Sequence, residues 1–132
     1  MTVLITQVHS RYSDLDPQGH VNNVVFLDYL QEARIRVFTQ INYSGIMNVS
    51  QVMVHQSIDF RHPIFYSTEP LTIETWVSSV GNTSYRMKYR IISAAGVLAA
   101  EAESVMVCFD NDKAVPIPDT LRSALMSILE VE

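Results

Sequence analysis

A polar, turn-forming segment that runs directly into an amphipathic helix constrains this chain more than any other feature. Residues 13–23 read SDLDPQGHVNN, which combines two carboxylates, an imidazole, two amides and a turn-forming PQG. The apolar residues that follow recur at i, i+4, i+7 and i+11 and define one helical face, namely Phe26, Leu30, Ala33 and Val37. Because Asn22 or Asn23 is a suitable N-cap, the pattern predicts a helix over 23–40.

Strand-like segments account for most of the remaining chain. Residues 3–11 precede the helix, and about 51–61, 70–80, 83–93 and 96–109 follow it, each rich in β-branched or aromatic residues. Two of these segments alternate, which predicts one face turned to the core: Val52, Val54, Gln56, Ile58, Phe60 and Tyr85, Met87, Tyr89, Ile91. Turn signals at Gly81-Asn82 and Ala95-Gly96 predict that the last three strands form an antiparallel meander.

A second helix is predicted over roughly 119–130. It begins after Pro118 and carries on one face Leu121, Leu125, Ile128 and Leu129. The first helix should end before Gly45, which is a candidate for a left-handed turn. The order β-α-β-β-β-β-α predicts an α+β fold, a single domain over 1–132 in which an antiparallel sheet wraps the first helix.

Composition excludes several classes of function. The 132 residues carry a net charge of −5 with no long basic run, which argues against a nucleic-acid partner. The N-terminus lacks a basic leader and no apolar run is long enough to cross a membrane, so we expect a cytoplasmic protein without a membrane partner. The single cysteine, Cys108, excludes intrachain disulfides and is expected to be buried and inert. The histidines and glycines have neither metal-site nor nucleotide-loop spacing, so no metal or cofactor is expected.

Chemistry is expected where the polar segment meets the helix. The first N–H groups of a helix have no intrahelical acceptor and lie at the positive end of the helix dipole, so they can bind an oxyanion. A loop carboxylate such as Asp16 could attack a substrate or activate water beside them. The alternative is that Asp16 only shapes a turn with Pro17 and Gly19.

The same segment carries a specific family resemblance. DLDPQGHVNN at 14–23, followed by FLDYLQEAR at 26–34, resembles the motif and helix of the hotdog-fold acyl-CoA thioesterases of the 4-hydroxybenzoyl-CoA thioesterase-like family. Weaker similarity continues through 58–63, 71–74 and 107–110, so the resemblance covers nearly the whole chain. It implies a hotdog fold, hydrolysis of acyl-CoA to a free acid and coenzyme A, and a homo-oligomer, either a dimer or a tetramer of hotdog dimers.

The resemblance also implies roles for residues of the motif. Asp16 matches the carboxylate that attacks the thioester or activates water, and the backbone N–H of Asn23 matches the oxyanion donor, with Val24 next in line. His20 is a candidate for substrate contact or proton transfer. A rival carboxylate in other hotdog thioesterases lies on the central helix, where Glu32 is instead expected to pair with Arg36 at i+4.

Substrate contacts are less well defined by the sequence. Asp14 is either a further substrate contact or a turn or helix cap. Groups that could hold the coenzyme A phosphates are Arg61, His62, Asn82, Thr83, Ser84, Arg86 and Arg90. The aryl-specific members that the chain resembles are strongly basic near the turn at 81–83, whereas this chain is not. An acyl tunnel could be formed by Phe26, Val54, Ile58 and Tyr85.

Two other functions fit the same fold. The first is a dehydratase or hydratase of 3-hydroxyacyl thioesters, which needs a histidine and a carboxylate poised at the α and β carbons. The second is a non-catalytic acyl-thioester binding protein, for which the carboxylate of Asp16 would be unnecessary.

Overall fold

The secondary structure follows the predicted order. The computed structural model describes residues 3–41 and 50–130. Its strands are β1 (Leu4–Val8), β2 (Gln51–Phe60), β3 (Leu71–Val80), β4 (Ser84–Ile92), β5 (Leu98–Asp110) and β6 (Lys113–Ala114), and its helices are α1 (Asn23–Gln40) and α2 (Asp119–Met126). A 3₁₀ turn at Tyr12–Asp14 and the short β6 were not predicted. Gly45 lies outside the described residues.

All main strands form one antiparallel sheet. The order is β1-β3-β4-β5-β2, with β6 paired to the end of β5. The predicted meander of β3, β4 and β5 is therefore confirmed, and Gly96 takes the left-handed conformation at the β4–β5 turn, with φ of +83°. β1 and β2 are the two edges of the sheet within the described residues.

The core lies between α1 and the inner face of the sheet. The predicted apolar face of α1 is buried, with Leu30, Ala33 and Val37 fully inaccessible. The alternating residues of β4 are buried with it, as predicted: Tyr85, Met87, Tyr89 and Ile91. The sheet thus wraps the first helix, and the predicted hotdog fold is confirmed.

Two predicted patterns are wrong in detail. The alternation along β2 breaks at a register shift between Met53 and His55, so Val52 and Val54 are exposed instead of facing the core. The second helix ends at Met126 rather than near 130. It ends there because residues 128–130 pair with Val77, which donates its N–H to Ile128 and accepts from Glu130.

The core packing of α1 can be tested with two substitutions to alanine on this helix, each of which removes three carbon atoms. Leu30→Ala should lower the free energy of unfolding by about 2–5 kcal/mol, because Leu30 is fully buried. Ile35→Ala removes the same number of carbon atoms from a side chain that is 52% exposed, and it should cost less than about 1 kcal/mol. Urea unfolding monitored by circular dichroism measures both. Equal losses would contradict the assignment of the buried face.

Candidate active site

A cleft of about 380 Å³ opens at the N-terminal end of α1. One wall comes from the segment before the helix and from its first turn, and the other comes from the end of β2 and the residues after it. The lining residues are Asp16, His20, Val21, Asn23, Phe26, Phe60, Arg61, His62 and Pro63. The structure therefore brings together five of the predicted site residues: Asp16, His20, Asn23, Arg61 and His62. We call this space the Asp16 cleft.

The two carboxylate oxygens of Asp16 have different surroundings. Oδ1 accepts the backbone N–H groups of Gln18 (2.9 Å) and His20 (3.1 Å), so Asp16 does shape the turn that its sequence context suggests. The backbone of Asp16 also donates to the carbonyl of His20 at 2.7 Å. Oδ2 accepts no hydrogen bond from any residue in 3–41 or 50–130. One oxygen fixes the loop, and the other is available to a ligand in the cleft.

The start of α1 leaves an N–H group available beside this carboxylate. Asn22 is the N-cap, and its side-chain oxygen accepts the N–H of Val24 at 3.0 Å. Asn23 is the first helical residue, and within the described ranges its N–H has no acceptor. An unpaired N–H at a helix N-terminus is suited to a developing negative charge.

His20 is fixed by the backbone on both of its sides. Its main chain pairs with Asp16 and forms a bridge with Phe65 in the β2–β3 connection. The imidazole packs edge-on against the Phe65 ring, with centroids 5.1 Å apart. Val21 next to it donates to the carbonyl of Ile64 at 2.8 Å. These bonds hold the two walls of the Asp16 cleft together.

Asp14 is a buried structural carboxylate and does not line the cleft. Only 2% of it is exposed, and its oxygens accept the Arg11 backbone N–H (2.8 Å), the Arg11 guanidinium and the Tyr29 hydroxyl (2.7 Å). Burial alone raises the pKa of Asp14, but the bonds from Arg11 and Tyr29 and the Arg11 charge outweigh it, so the net pKa is lowered. Burial and the bond to Asp14 raise the pKa of Tyr29. The prediction of substrate contact by Asp14 is not supported, and the capping alternative is.

Val24 and the β3–β4 turn also lie away from the Asp16 cleft. The N–H of Val24 is used by the Asn22 cap, so Val24 is not available as an oxyanion donor. The backbone carbonyls of the predicted contacts Asn82 and Thr83 accept hydrogen bonds from the C-terminal part of the chain, and the carbonyl of Ser84 accepts the N–H of Gly81 within the turn. Ser84 is level with Val52 through β5, eight residues from Phe60, or about 25 Å along a strand. Within one chain this turn cannot reach the cleft.

The other charged residues considered as site candidates form ion pairs on the protein surface. Glu32 pairs with Arg36 at 2.8 Å, as predicted, and it does not line the cleft. Arg86 pairs with Glu103, and Arg90 pairs with Glu74 while stacking over Trp76 on the outer face of the sheet. Neither arginine faces the Asp16 cleft.

The proposed tunnel residues do not form a single lining in this chain. Phe26 lines the cleft and packs edge-on against Phe60 at 5.1 Å. Tyr85 is buried with its hydroxyl bonded to Gln51, and Val54 is 56% exposed. The sequence pattern did not single out Phe60 and Pro63 as site residues, because only the folded chain brings the end of β2 to the start of α1.

Within the segments that the structure describes, the cysteine and the possible metal ligands form no second reactive centre. Cys108 is buried as predicted, and burial raises the pKa of its thiol. No three metal-binding side chains cluster in the described part of the chain. Among the same residues, no helix is both long and apolar enough to cross a bilayer. The absence of a cofactor and the cytoplasmic location stay predictions.

Comparison with known proteins decides the family. A family model described as the thioesterase-like superfamily matches residues 10–125. The chain belongs to this superfamily. The resemblance seen in the sequence is thereby confirmed, and the superfamily member described here has a fold that other thioesterases share.

Several proteins similar to this chain are named as thioesterases or thioester hydrolases. The long-chain acyl-CoA thioesterase FadM of Escherichia coli is 28% identical over 131 residues, covering 95% of this chain and 98% of that protein. The acyl-CoA thioester hydrolase YbgC of Escherichia coli is 28% identical over 80% of this chain and 81% of its own length. A Thermus thermophilus thioesterase solved with coenzyme A and Zn is 30% identical, has a TM-score of 0.81 and aligns over 94% and 92% of the two chains.

The structural role of Asp14 gives a pH-dependent prediction. Asp14→Asn should lower the free energy of unfolding by about 1–3 kcal/mol at pH 7, because it removes a buried hydrogen-bonded charge. The pKa of Asp14 is lower in the folded protein than its unfolded value, which is near 3.8, so ionised Asp14 stabilises the fold fully above pH 3.8. This stabilisation is lost as the pH falls through the folded-state pKa. The difference in the free energy of unfolding between wild type and Asp14→Asn should therefore become smaller from pH 7 to pH 3. Urea titrations at the two pH values measure it.

The matched control is Asp28→Asn, which changes an exposed acid on α1, the helix that carries Tyr29. It should have little effect at either pH. If wild type and Asp14→Asn differed in free energy of unfolding by the same amount at pH 7 and pH 3, ionised Asp14 would be ruled out as the stabilising form.

Proposed function

We propose that this chain hydrolyses acyl-CoA thioesters to a free acid and coenzyme A. The observation that carries the proposal is that one cleft contains both the Oδ2 of Asp16 and the N–H of Asn23, neither of which has a hydrogen-bond partner among residues 3–41 and 50–130. The names of the relatives FadM and YbgC and of the coenzyme A-bound Thermus thermophilus thioesterase support the same substrate class.

Asp16 supplies the attack on the thioester carbonyl. A thioester is electrophilic and a thiolate is a good leaving group, so a carboxylate suffices without a metal. Asp16 either takes a proton from the attacking water or attacks the carbonyl carbon itself to form an acyl-aspartyl anhydride, which water then hydrolyses. In both routes the C–S bond breaks and the thiolate of coenzyme A leaves. The fixed Oδ1 holds the loop while Oδ2 reacts.

Asn23 stabilises the oxygen that becomes negative during the attack. Its N–H lies at the positive end of α1 and has no protein acceptor in the described segments, so it requires no rearrangement to bind the oxyanion. The donor is a backbone group, and the asparagine side chain is not required for it. His20 is positioned in the cleft to return a proton to the leaving thiolate.

A dehydratase or hydratase is the second candidate, and one observation favours keeping it. His20 and Asp16 line the same cleft, which is the residue pair that such chemistry uses. Hydrolysis is preferred because an N–H group at a helix N-terminus is suited to stabilising a carbonyl oxyanion, and Asn23 offers such a group in the cleft. Release of thiol distinguishes hydrolysis from a change in enoyl absorbance, and a binding protein produces neither signal.

A homodimer would complete the cleft. β2 is an edge strand of ten residues, and it exposes Val52, Val54 and Phe60, of which Phe60 also lines the Asp16 cleft. An exposed apolar edge is a site for pairing with another strand. Antiparallel pairing of two β2 strands places the Val52 end of one beside the Phe60 end of the other. The turn at 82–84 of the second copy then lies at the same end of the sheet as the cleft.

Replacing the proposed catalytic carboxylate should abolish most of the activity. Asp16→Asn should lower thioesterase turnover roughly 10²–10⁴-fold, because an amide can neither attack nor accept the proton. The amide oxygen can still accept the two backbone bonds of the loop, so the fold should be kept. Thiol release from acyl-CoA substrates measures the loss, and Glu32→Gln is the control. Near-wild-type turnover in Asp16→Asn would refute the assignment.

Removing the helix N–H tests the oxyanion site. Proline is tolerated at the first helical position, and the extended Asn22 (ψ 133°) is compatible with a following proline. Asn23→Pro should therefore fold, bind acyl-CoA and lose roughly 10²–10³-fold in kcat. Asn23→Ala keeps the N–H and should retain most of kcat. Asn22→Ala should cost about 1 kcal/mol of stability through the cap. Normal turnover by a folded Asn23→Pro variant would place the oxyanion elsewhere.

The dimer can be tested through its edge strand. Sedimentation equilibrium should give a mass at least twice that of one chain, and Val54→Lys should shift it toward the monomer with loss of activity, because a charge on the exposed edge opposes strand pairing. Met126→Lys, at an exposed position of α2, is the control and should change neither. A fully active wild-type monomer would contradict the shared cleft.

A further inference from the structure

Arg34 on α1 is a buried cation with no role in the proposed hydrolysis. Only 7% of it is exposed. Its guanidinium makes one hydrogen bond within 3–41 and 50–130, from Nη1 to the Tyr89 hydroxyl at 3.4 Å, which is longer than the ~2.7–3.2 Å of a typical bond. No carboxylate of those ranges pairs with it, and the sequence at 42–49 contains neither aspartate nor glutamate. A buried charge without a counter-ion is costly, so Arg34 is suited to an anion that comes from outside the chain.

Two hydroxyl groups of the sheet lie beside this guanidinium. The Tyr89 hydroxyl, which accepts the bond from Arg34, is 2.5 Å from the Ser104 hydroxyl on the neighbouring strand β5. Both side chains are buried. We call Arg34, Tyr89 and Ser104 the Arg34 cluster. A guanidinium with free N–H groups and a neighbouring hydroxyl supplies donors only a short distance apart, and these suit a carboxylate.

A strip of small side chains on β5 connects the Asp16 cleft with the Arg34 cluster. It consists of the buried residues Ala100, Ala102 and Ser104, which alternate along the strand. Ala100 is paired with Phe60, which lines the cleft, and Ser104 is paired with Gln56. β2 is an edge strand and Gln56 is only half-buried, so the strip is accessible from that edge. Small side chains occupy little of the space between the sheet and α1, so a slim ligand chain meets the fewest atoms along this strip.

Two separate counts give the same length for the strip. Along α1, Arg34 comes eight residues after Phe26, which lines the cleft, and this separation is about 12 Å at the rise of a helix. Along β2, Gln56 is four residues from Phe60, or about 13 Å at the rise of a strand. An extended chain advances ~1.2 Å per bond, so roughly ten bonds span the distance from the cleft to the Arg34 cluster.

We propose that the Arg34 cluster binds a carboxylate at the far end of the acyl group, so that this chain prefers mono-thioesters of dicarboxylic acids of about ten carbons. The inference rests on the proposed function and names a substrate class for it. The planar guanidinium of Arg34 can donate two parallel N–H groups to a carboxylate, and the Ser104 hydroxyl can donate a third. An acyl group that ends in a methyl would leave the buried charge without a partner.

The burial of Arg34 favours a ligand over a second copy of the chain as the source of the anion. With 7% of the residue exposed, the surface of another copy would meet little of it. The strip, in contrast, leads to the guanidinium from inside the fold and starts where the thioester is held. Replacing Arg34 should therefore change the choice of substrate and leave the association of copies unchanged.

The test compares two coenzyme A thioesters of equal chain length, the mono-thioester of decanedioic acid and decanoyl-CoA. Wild type should have the higher kcat/KM for the first. In Arg34→Met the ratio of the two values should fall roughly 10–100-fold, the size of one hydrogen bond to a charged group. Arg34→Lys should keep part of the preference, because it keeps the charge but loses the planar fork. Arg36→Met makes the same change at an exposed arginine of α1 and should keep the wild-type ratio.

Calorimetric titration with the free acids tests the cluster without turnover. Wild type should bind decanedioate at least roughly tenfold more tightly than decanoate, and Arg34→Met should lose this difference. If Arg34→Met does not fold, a preference in Arg34→Lys that is intermediate in both assays supports the inference, and a wild-type preference contradicts it.

Three results would overturn the inference. One is a wild type without preference for the dicarboxylic thioester or acid, and another is an unchanged preference in Arg34→Met. The third is a lower sedimentation mass of Arg34→Met with an unchanged ratio, which would assign Arg34 to a contact between copies. If wild type hydrolyses neither thioester, the proposed function fails, and the titration with free acids still decides whether the Arg34 cluster binds a carboxylate.

Discussion

The buried carboxylate of Asp14 is the interaction on which the rest of the site depends. It joins the 3₁₀ turn at Tyr12–Asp14 to the middle of α1 through Tyr29, and its backbone carbonyl accepts the N–H of Asn22 at the helix start. A buried charge is stable only when its hydrogen bonds are made. Asp14 thus fixes the path of the chain between β1 and α1, and with it the position of Asp16.

Once that path is fixed, some groups of the site hold the loop and the helix start in place, and others are available to a substrate. At Asp16 one oxygen satisfies two loop N–H groups and the other is unbonded among the described residues. At the helix start, the side chain of Asn22 accepts the N–H of Val24, whereas the N–H of Asn23 has no acceptor among the described residues. The arrangement is preorganised because its members are held by bonds that a substrate need not replace.

Local periodicity predicted the elements, whereas long-range contacts decided the details. The helical face of α1 and the alternation of β4 follow directly from the positions of their apolar residues. The bulge in β2 and the early end of α2 depend on pairing with β5 and with Val77, which no local pattern encodes. Asp14 was ambiguous because its partner Tyr29 lies fifteen residues away. Phe60 reaches Phe26 only through the fold.

The most direct test of the site is a crystal structure of Asp16→Asn bound to a coenzyme A thioether ketone, in which a carbonyl remains but the scissile C–S bond is absent. The account predicts the ketone oxygen within about 2.7–3.1 Å of the Asn23 nitrogen, with the carbonyl carbon facing residue 16. A ligand whose carbonyl oxygen is bound by any other group, or whose carbonyl lies outside the Asp16 cleft, would contradict it.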